Sequence, residues 1–326
     1  MTIRPLLPPL LTATLLLTAL NLMIGAWSHR LPYYKKLEAI RTAQDPNLLF
    51  VGNSLLDGHL DEDALVQAAR CAHFRPLNTA LGASQAPEQQ LLFDYAVQNH
   101  SGVRTLVLGI FDFQLTAQEH SRLTDLIGNR MVGIDRRFPV SEVIAVYGFD
   151  RLDRLELQVM RRLPMAANRA NAWKYVELLR RSMGAMGMPH AATNSMGRVD
   201  DFAALESGSV EIFDAQARTF LEHPDHFNSS YESILGRAHD AGMNVVIVAM
   251  PMSPSHCDIF YARPLWRQYR MALTALAGQR GVKVIDASNW MHSERDFDDH
   301  LHMTQEAAHD FSVRLGSELT RTACHY

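Results

Sequence analysis

Residues 46–58 read Pro46-Asn47-Leu48-Leu49-Phe50-Val51-Gly52-Asn53-Ser54-Leu55-Leu56-Asp57-Gly58. The apolar run 47–51 stops abruptly at Gly52-Asn53-Ser54. A run without polar alternation predicts a strand covered on both faces, as in a parallel sheet between helices. A serine in the turn that leaves such a strand stands at the sheet's carboxyl edge, where α/β proteins bind ligands. It also lies close to backbone N–H groups able to stabilise an oxyanion. The competing reading is a serine that caps the following helix.

Four more β-like runs follow, at 74–78, 103–110, 244–250 and 282–286. Helical patterns separate them at 61–70, 87–98, 229–241 and 264–278, and another closes the chain at 304–320. This alternation predicts right-handed crossovers and a doubly wound α/β fold with a five-stranded parallel sheet. Between the third and fourth runs lies an insertion over about 113–240, far longer than an ordinary connection. Its middle reads as amphipathic helices over 140–162 and 168–183, and 191–208 as a loop. The pairs Arg136-Arg137, Arg161-Arg162 and Arg180-Arg181 read as solvated helix faces, with a surface for polyanions or lipid headgroups as the alternative.

Near the other end stands Phe297-Asp298-Asp299-His300-Leu301-His302-Met303-Thr304. His302 stands three positions after Asp299, so the carboxylate can hold one imidazole nitrogen while the other faces a serine. Asp298 and His300 are rival members, but Asp299 has the better spacing. Ser54, His302 and Asp299 are thus a candidate nucleophile, base and orienting acid. Thr304 is placed to start the last helix.

The formal net charge of −4 and a pI near 6.4 exclude a general nucleic-acid binder, which carries a basic stripe. Cys71, Cys257 and Cys324 are far apart and form no CxxC pair, so a zinc site or dense disulfide framework is not expected. No metal and no organic cofactor is called for. At the N-terminus no titratable side chain occurs between Arg4 and His29-Arg30. Residues 9–27 are almost wholly apolar and would span roughly 28 Å as a helix, near the hydrocarbon thickness of a bilayer. The expected organisation is a membrane anchor over 1–30 and an α/β domain over 31–326, with Trp27, Tyr33 and Tyr34 at the interface. A cleaved signal peptide is the alternative, although no Ala-x-Ala site follows the run. Arg30, Lys35, Lys36 and Arg41 follow the span, so charge counting alone places the domain in the cytoplasm.

Together these residues resemble the SGNH (GDSL-type) hydrolase superfamily. Gly52-Asn53-Ser54-Leu55-Leu56 matches the first block, with Asn where many members have Asp. Gly82, within Asn78-Thr79-Ala80-Leu81-Gly82-Ala83-Ser84, matches the oxyanion glycine of the second, and Asp299-His300-Leu301-His302 matches the last. The third block departs: Gly109-Ile110-Phe111-Asp112 puts Phe111 where the family's donating asparagine stands. The likeness covers about 45–115 and 240–320 and leaves out the insertion. It implies a flavodoxin-like sheet, with Ser54, Asp299 and His302 as the triad and the Ser54 and Gly82 N–H groups at the oxyanion. Asn53, Phe111, Asp112 and His256, the last in the loop after the fourth strand, are possible pocket residues. Membrane-anchored members similar to this chain modify bacterial envelope polymers beside membrane-bound O-acyltransferases. The resemblance therefore implies an extracytoplasmic domain, against the charge count, with acylated carbohydrate as substrate. The expected activity is that of a serine esterase or O-acyltransferase. Other readings are a non-catalytic accessory subunit, suggested by Phe111 and the insertion, and an intracellular esterase.

Overall fold

The computed structural model describes residues 7–70, 73–117, 122–123, 126–169 and 209–323. The chain forms two compact units. One comprises residues 1–38 and 120–191, the other 39–119 and 192–326.

The second unit holds the sheet. Its strands are β1 (Leu48–Val51), β2 (Pro76–Asn78), β3 (Thr105–Ile110), β4 (Asn244–Ala249) and β5 (Lys283–Asp286). All pairings are parallel, in the order β2-β1-β3-β4-β5. β1 and β3 are buried throughout, as their unbroken apolar runs require. Leu48, Phe50, Val107, Val246 and Val248 share one core with Leu65, Phe311, Leu315 and Leu319 from the helices Glu62–Ala68 and Gln305–Ala323. The helices Ala86–Asn99 and Ser229–Asp240 pack on each other, the first also on β1 and the second on β4. The five strands and helices read from the sequence recur within a few residues.

Two glycines set up the nucleophile turn. A Cβ on Gly109 would lie 2.3 Å from Leu56 Cδ1, and one on Gly52 would lie 2.9 Å from the same atom. Bare backbone at both strand ends therefore makes room for Leu56, which is 1% exposed and plugs the turn onto the core.

The first unit contains the helix Leu7–Ser28, whose spanning window has no buried residue. Its length and apolarity suit a single membrane pass and equally a signal sequence. Of the three aromatics expected at a membrane interface, Tyr33 packs inward instead. Tyr33 is 5% exposed, and burial pushes its phenol above the ordinary range. Tyr34 is stacked on His29 at 4.3 Å and lies under Arg137 at 4.4 Å. The expected single helix over 140–162 is two, Val140–Tyr147 and Arg151–Arg162. Gly148 ends the first in a left-handed cap at φ 68°, and the Asp150–Asp153 capping box starts the second. Beyond Arg169, the expected helix over 168–183 and the loop over 191–208 lie outside the described residues, as do Cys71 and Cys324.

The helix Gln305–Ala323 approaches Glu62–Ala68 closely at Gly316, where a Cβ would stand 2.3 Å from the Leu65 carbonyl oxygen. Ser312 Oγ, on the same helix, accepts from the Asp61 N–H at 2.9 Å. Backbone cannot yield as a flexible side chain can, so Gly316→Ala should destabilise by about 1–3 kcal/mol despite alanine's better helix propensity. Urea unfolding measures this, and a variant as stable as the parent would contradict the close packing.

Candidate active site

Three loops meet at the carboxyl ends of β1, β2 and β3. Thr79 N–H donates to the Phe50 carbonyl (2.9 Å) and Leu81 N–H to that of Gly52 (3.2 Å), so the loop after β2 runs on alongside β1. After Gly52 the chain turns around Asn53. Its carbonyl accepts from the Leu56 and Asp57 amides at 3.1 and 3.0 Å, and its side-chain oxygen from the Leu55 amide at 3.0 Å. Ser54 caps no helix: the next one is capped by Asp61, whose carboxylate accepts from the Ala64 N–H at 2.9 Å. The serine is left partly exposed on the turn, and its own N–H has no acceptor among the described residues.

The loop carrying Asp299 and His302 is pinned at both sides. Phe297 and Met303 pair as a β-bridge and are 0% and 3% exposed, and the Asp298 N–H donates to the His302 carbonyl at 2.8 Å. Asp299 Oδ1 accepts from the Leu301 and His302 amides at 2.8 and 2.7 Å, leaving Oδ2 for His302 Nδ1 at 2.8 Å. A carboxylate accepts, so Nδ1 carries the proton and Nε2 presents a lone pair. Ser54 Oγ lies 2.8 Å from that Nε2. Burial pulls the Asp299 carboxyl up, but the hydrogen bonds from the His302 ring, the His302 amide and the Leu301 amide outweigh it. They hold the group well below the ordinary carboxylate range. Asp298 and His300 take no part in this chain of bonds. Thr304 caps the last helix, its Oγ1 accepting from the Ala307 N–H at 3.3 Å.

The other sequence-predicted residues are placed as follows. Gly82 N–H donates to Asp57 Oδ2 at 2.8 Å, so that amide is engaged by a carboxylate from the nucleophile turn. The neighbouring Ala83 takes the left-handed φ of 61° in a turn closed by the Ser84 N–H and the Leu81 carbonyl. Ala83 is exposed, and its N–H has no acceptor among the described residues. Non-glycine residues held at positive φ recur at ligand sites, because surrounding structure must offset the strain. Phe111 is partly buried against the core shared with Leu55 and Leu56, and offers no donor. Asp112, at φ 43° and 7% exposed, accepts through Oδ1 from His256 Nε2 and from the Tyr261 hydroxyl, both at 2.7 Å. His256 is fully buried in that bond. A cleft of about 620 Å³ opens beside Phe111, Asp112, Tyr261, Trp266 and Arg270, with neither Ser54 nor His302 in its wall. Burial pushes the Cys257 thiol up to about 12, so it is no thiolate nucleophile.

Sequence reasoning missed two features. His59 Nδ1–H donates to the Ser54 carbonyl at 2.9 Å, and its ring centroid stands 5.4 Å from that of His302. Its place five residues after the serine was the available signal. The second feature is a buried run of hydrogen bonds beneath the nucleophile turn, closed into a ring by the Gly52–Asn53 peptide link. Asn53 Nδ2 donates to Gln114 Oε1 (3.4 Å), Gln114 Nε2 to the Tyr231 hydroxyl (2.8 Å), and that hydroxyl to Gln89 Oε1 (2.8 Å). Gln89 Nε2 then donates to Ser84 Oγ (3.4 Å), and Ser84 Oγ to the Gly52 carbonyl (3.1 Å). Each of the five side chains donates onward in the same sense, so the bonds polarise one another. No local pattern announces residues drawn from five separate segments.

The chain resembles the SGNH hydrolases in its sheet and in the chain order of Ser54, Asp299 and His302. No protein-family model and no curated protein matches the sequence. Among solved structures, it is similar to a candidate acylhydrolase from Bacteroides fragilis, at 11% identity and a TM-score of 0.41, covering 89% of this chain and 96% of that one. It is also similar to a GDSL-like lipase from Bacteroides thetaiotaomicron, at 10% identity and a TM-score of 0.41, covering 90% and 98%. These likenesses are too distant to bear on chemistry.

Tyr231→Phe should cost about 1–3 kcal/mol, because Gln114 Nε2 and Gln89 Oε1 then lose a buried partner. An unchanged urea midpoint would mean that the ring does not hold the turn. Asp299→Asn tests the depressed carboxyl. Such a group stabilises the fold above its unfolded value of about 3.9, and that contribution is lost as pH falls through the lower folded value. The parent should therefore be more stable than the variant near neutrality, with the difference closing in acid. A difference constant with pH would refute it.

Proposed function

We propose that this chain is a membrane-tethered serine esterase or O-acyltransferase of SGNH type that acts on an acylated carbohydrate or cell-envelope polymer. The observation that carries the catalytic part is the Ser54–His302–Asp299 chain, with 2.8 Å at each link from hydroxyl to imidazole to carboxylate. In the first half-reaction Ser54 Oγ attacks the acyl carbonyl carbon as its proton passes to His302 Nε2. The tetrahedral oxyanion collapses, the C–O bond to the alcohol breaks, and His302 returns the proton to the departing alkoxide. The acyl-enzyme then passes its acyl group to water or to a sugar hydroxyl, with His302 again taking the proton. Asp299 holds the tautomer and offsets the imidazolium charge.

The Ser54 and Ala83 amides are the donors proposed for the oxyanion, in place of the Ser54 and Gly82 pair implied by the resemblance. Gly82 has its N–H on Asp57 at 2.8 Å, whereas Ala83 has its own uncommitted among the described residues. Removing one donor from an oxyanion hole costs about 10²–10³ in rate, so a site without a third donor at Phe111 suits a modest catalyst. The helix Leu7–Ser28 supports the tether. The extracytoplasmic side, the carbohydrate substrate and a membrane-bound O-acyltransferase partner rest on the resemblance to envelope-modifying proteins. The engaged Gly82 amide and the donorless Phe111 favour the second reading, an accessory subunit that keeps the fold and binds a glycan or a membrane acyltransferase.

A fluorophosphonate probe separates the two. The full-length protein should be labelled covalently at Ser54, and labelling should disappear in Ser54→Ala and fall sharply in His302→Ala. A well-folded parent that resists the probe would favour the accessory subunit.

A further inference from the structure

We propose that the helix Arg151–Arg162 lies in the bilayer surface as a second membrane contact of the unit that contains the anchor. The inference rests on reading Leu7–Ser28 as an inserted anchor. The segment reads Arg151-Leu152-Asp153-Arg154-Leu155-Glu156-Leu157-Gln158-Val159-Met160-Arg161-Arg162, with Leu163 as its C-cap. At 3.6 residues per turn, Leu152, Leu155, Val159 and Leu163 fall within about 80° of arc. They are 74%, 61%, 48% and 47% exposed. Leu157 and Met160, on the other side, are 0% and 3% exposed and satisfy the unit's own core. The helix is thus apolar on two faces, and the fold accounts for one. An apolar stripe of this kind, continuous along a whole helix, marks an interaction surface.

Its position selects lipid as the occupant. Leu163 leads directly into the helix Pro164–Ala167, which packs on the anchor helix. The Met165 N–H donates to Asn21 Oδ1 at 3.0 Å, and a Cβ on Gly25 would lie 3.3 Å from Pro164 Cγ. Gly25 and Asn21 are three and seven residues before the anchor's end at Ser28, about 4.5 and 10.5 Å along its axis. That matches the roughly 5–10 Å depth at which interfacial helices bury their apolar faces. On the same rotation Arg151 and Arg162 border the stripe, and with Arg154 they pair with no carboxylate among the described residues. Their stems can follow apolar surface while the guanidinium groups reach lipid phosphates. Arg161 is committed elsewhere, donating to the Gly133 and Ile134 carbonyls at 3.0 and 3.1 Å.

The test uses the full-length chain in phospholipid vesicles, with Cys71, Cys257 and Cys324 replaced by Ser and one nitroxide-labelled cysteine introduced at a time. Collisions with oxygen, which concentrates in lipid, and with a nickel chelate, which stays in water, report depth. Leu155→Cys and Val159→Cys should show an oxygen-to-nickel ratio well above that of Asp240→Cys, an exposed site on the sheet unit, and below that of Leu16→Cys within the anchor. A deep Leu16→Cys label with Leu155→Cys and Val159→Cys in water would overturn the surface helix and leave the anchor standing. Labels at Leu155→Cys and Val159→Cys immobilised and shielded from both reagents would mean that protein covers the stripe, which also overturns it. A Leu16→Cys label in water would overturn the anchor, and this inference with it.

Discussion

The candidate site depends on a problem of polar satisfaction. β1 is buried on both faces, yet it must end in a turn that exposes a hydroxyl, so the backbone leaving the core needs partners where water does not reach. The ring from Asn53 through Gln114, Tyr231, Gln89 and Ser84 to the Gly52 carbonyl supplies them. It joins the ends of β1 and β3, the loop after β2 and the two helices on that side of the sheet. Above it, Leu56 sits over the bare backbone of Gly52 and Gly109. The turn is held by polar bonds on one side and packing on the other, and that rigidity fixes where Ser54 Oγ stands.

His302 is held by a separate device. Phe297 and Met303 sink into the core on either side of a short loop and pin it at both ends. Asp299 then folds back onto two amides of its own loop before it meets the imidazole. These local bonds fix the carboxylate's orientation toward the imidazole, so that it holds one tautomer rather than merely neighbouring the ring. His59, donating to the Ser54 carbonyl and lying against the His302 ring, ties the two loops from the other side.

The oxyanion side is less conventional. A positive φ falls on Ala83 while the adjacent glycine takes an ordinary one, and the Gly82 amide turns to Asp57. A left-handed alanine costs roughly 1–2 kcal/mol and persists only where neighbouring bonds outweigh it. Here the loop is tied to β1 through Thr79, Leu81 and Ser84.

The sequence by itself determined the fold class and the order of its parts. Unbroken apolar runs, turn residues and amphipathic spacing are local properties, and they marked the five strands and the helices between them. The i to i+3 spacing likewise singled out Asp299 over Asp298, because that relation lies within one loop. The two helices at 140–162 were also written locally, in Gly148 and Asp150, but the hydrophobic period running across both obscured the break. Only the tertiary structure decided which amide of the second loop stays open, since the carboxylate that engages Gly82 comes from 25 residues earlier. It alone brought Tyr231 and Gln89 beneath the serine, across 142 residues of chain. It also turned Tyr33 inward, away from the interface its position suggested. Hydrogen-bond partners far apart in sequence carry no periodicity, so nothing short of the folded chain selects them.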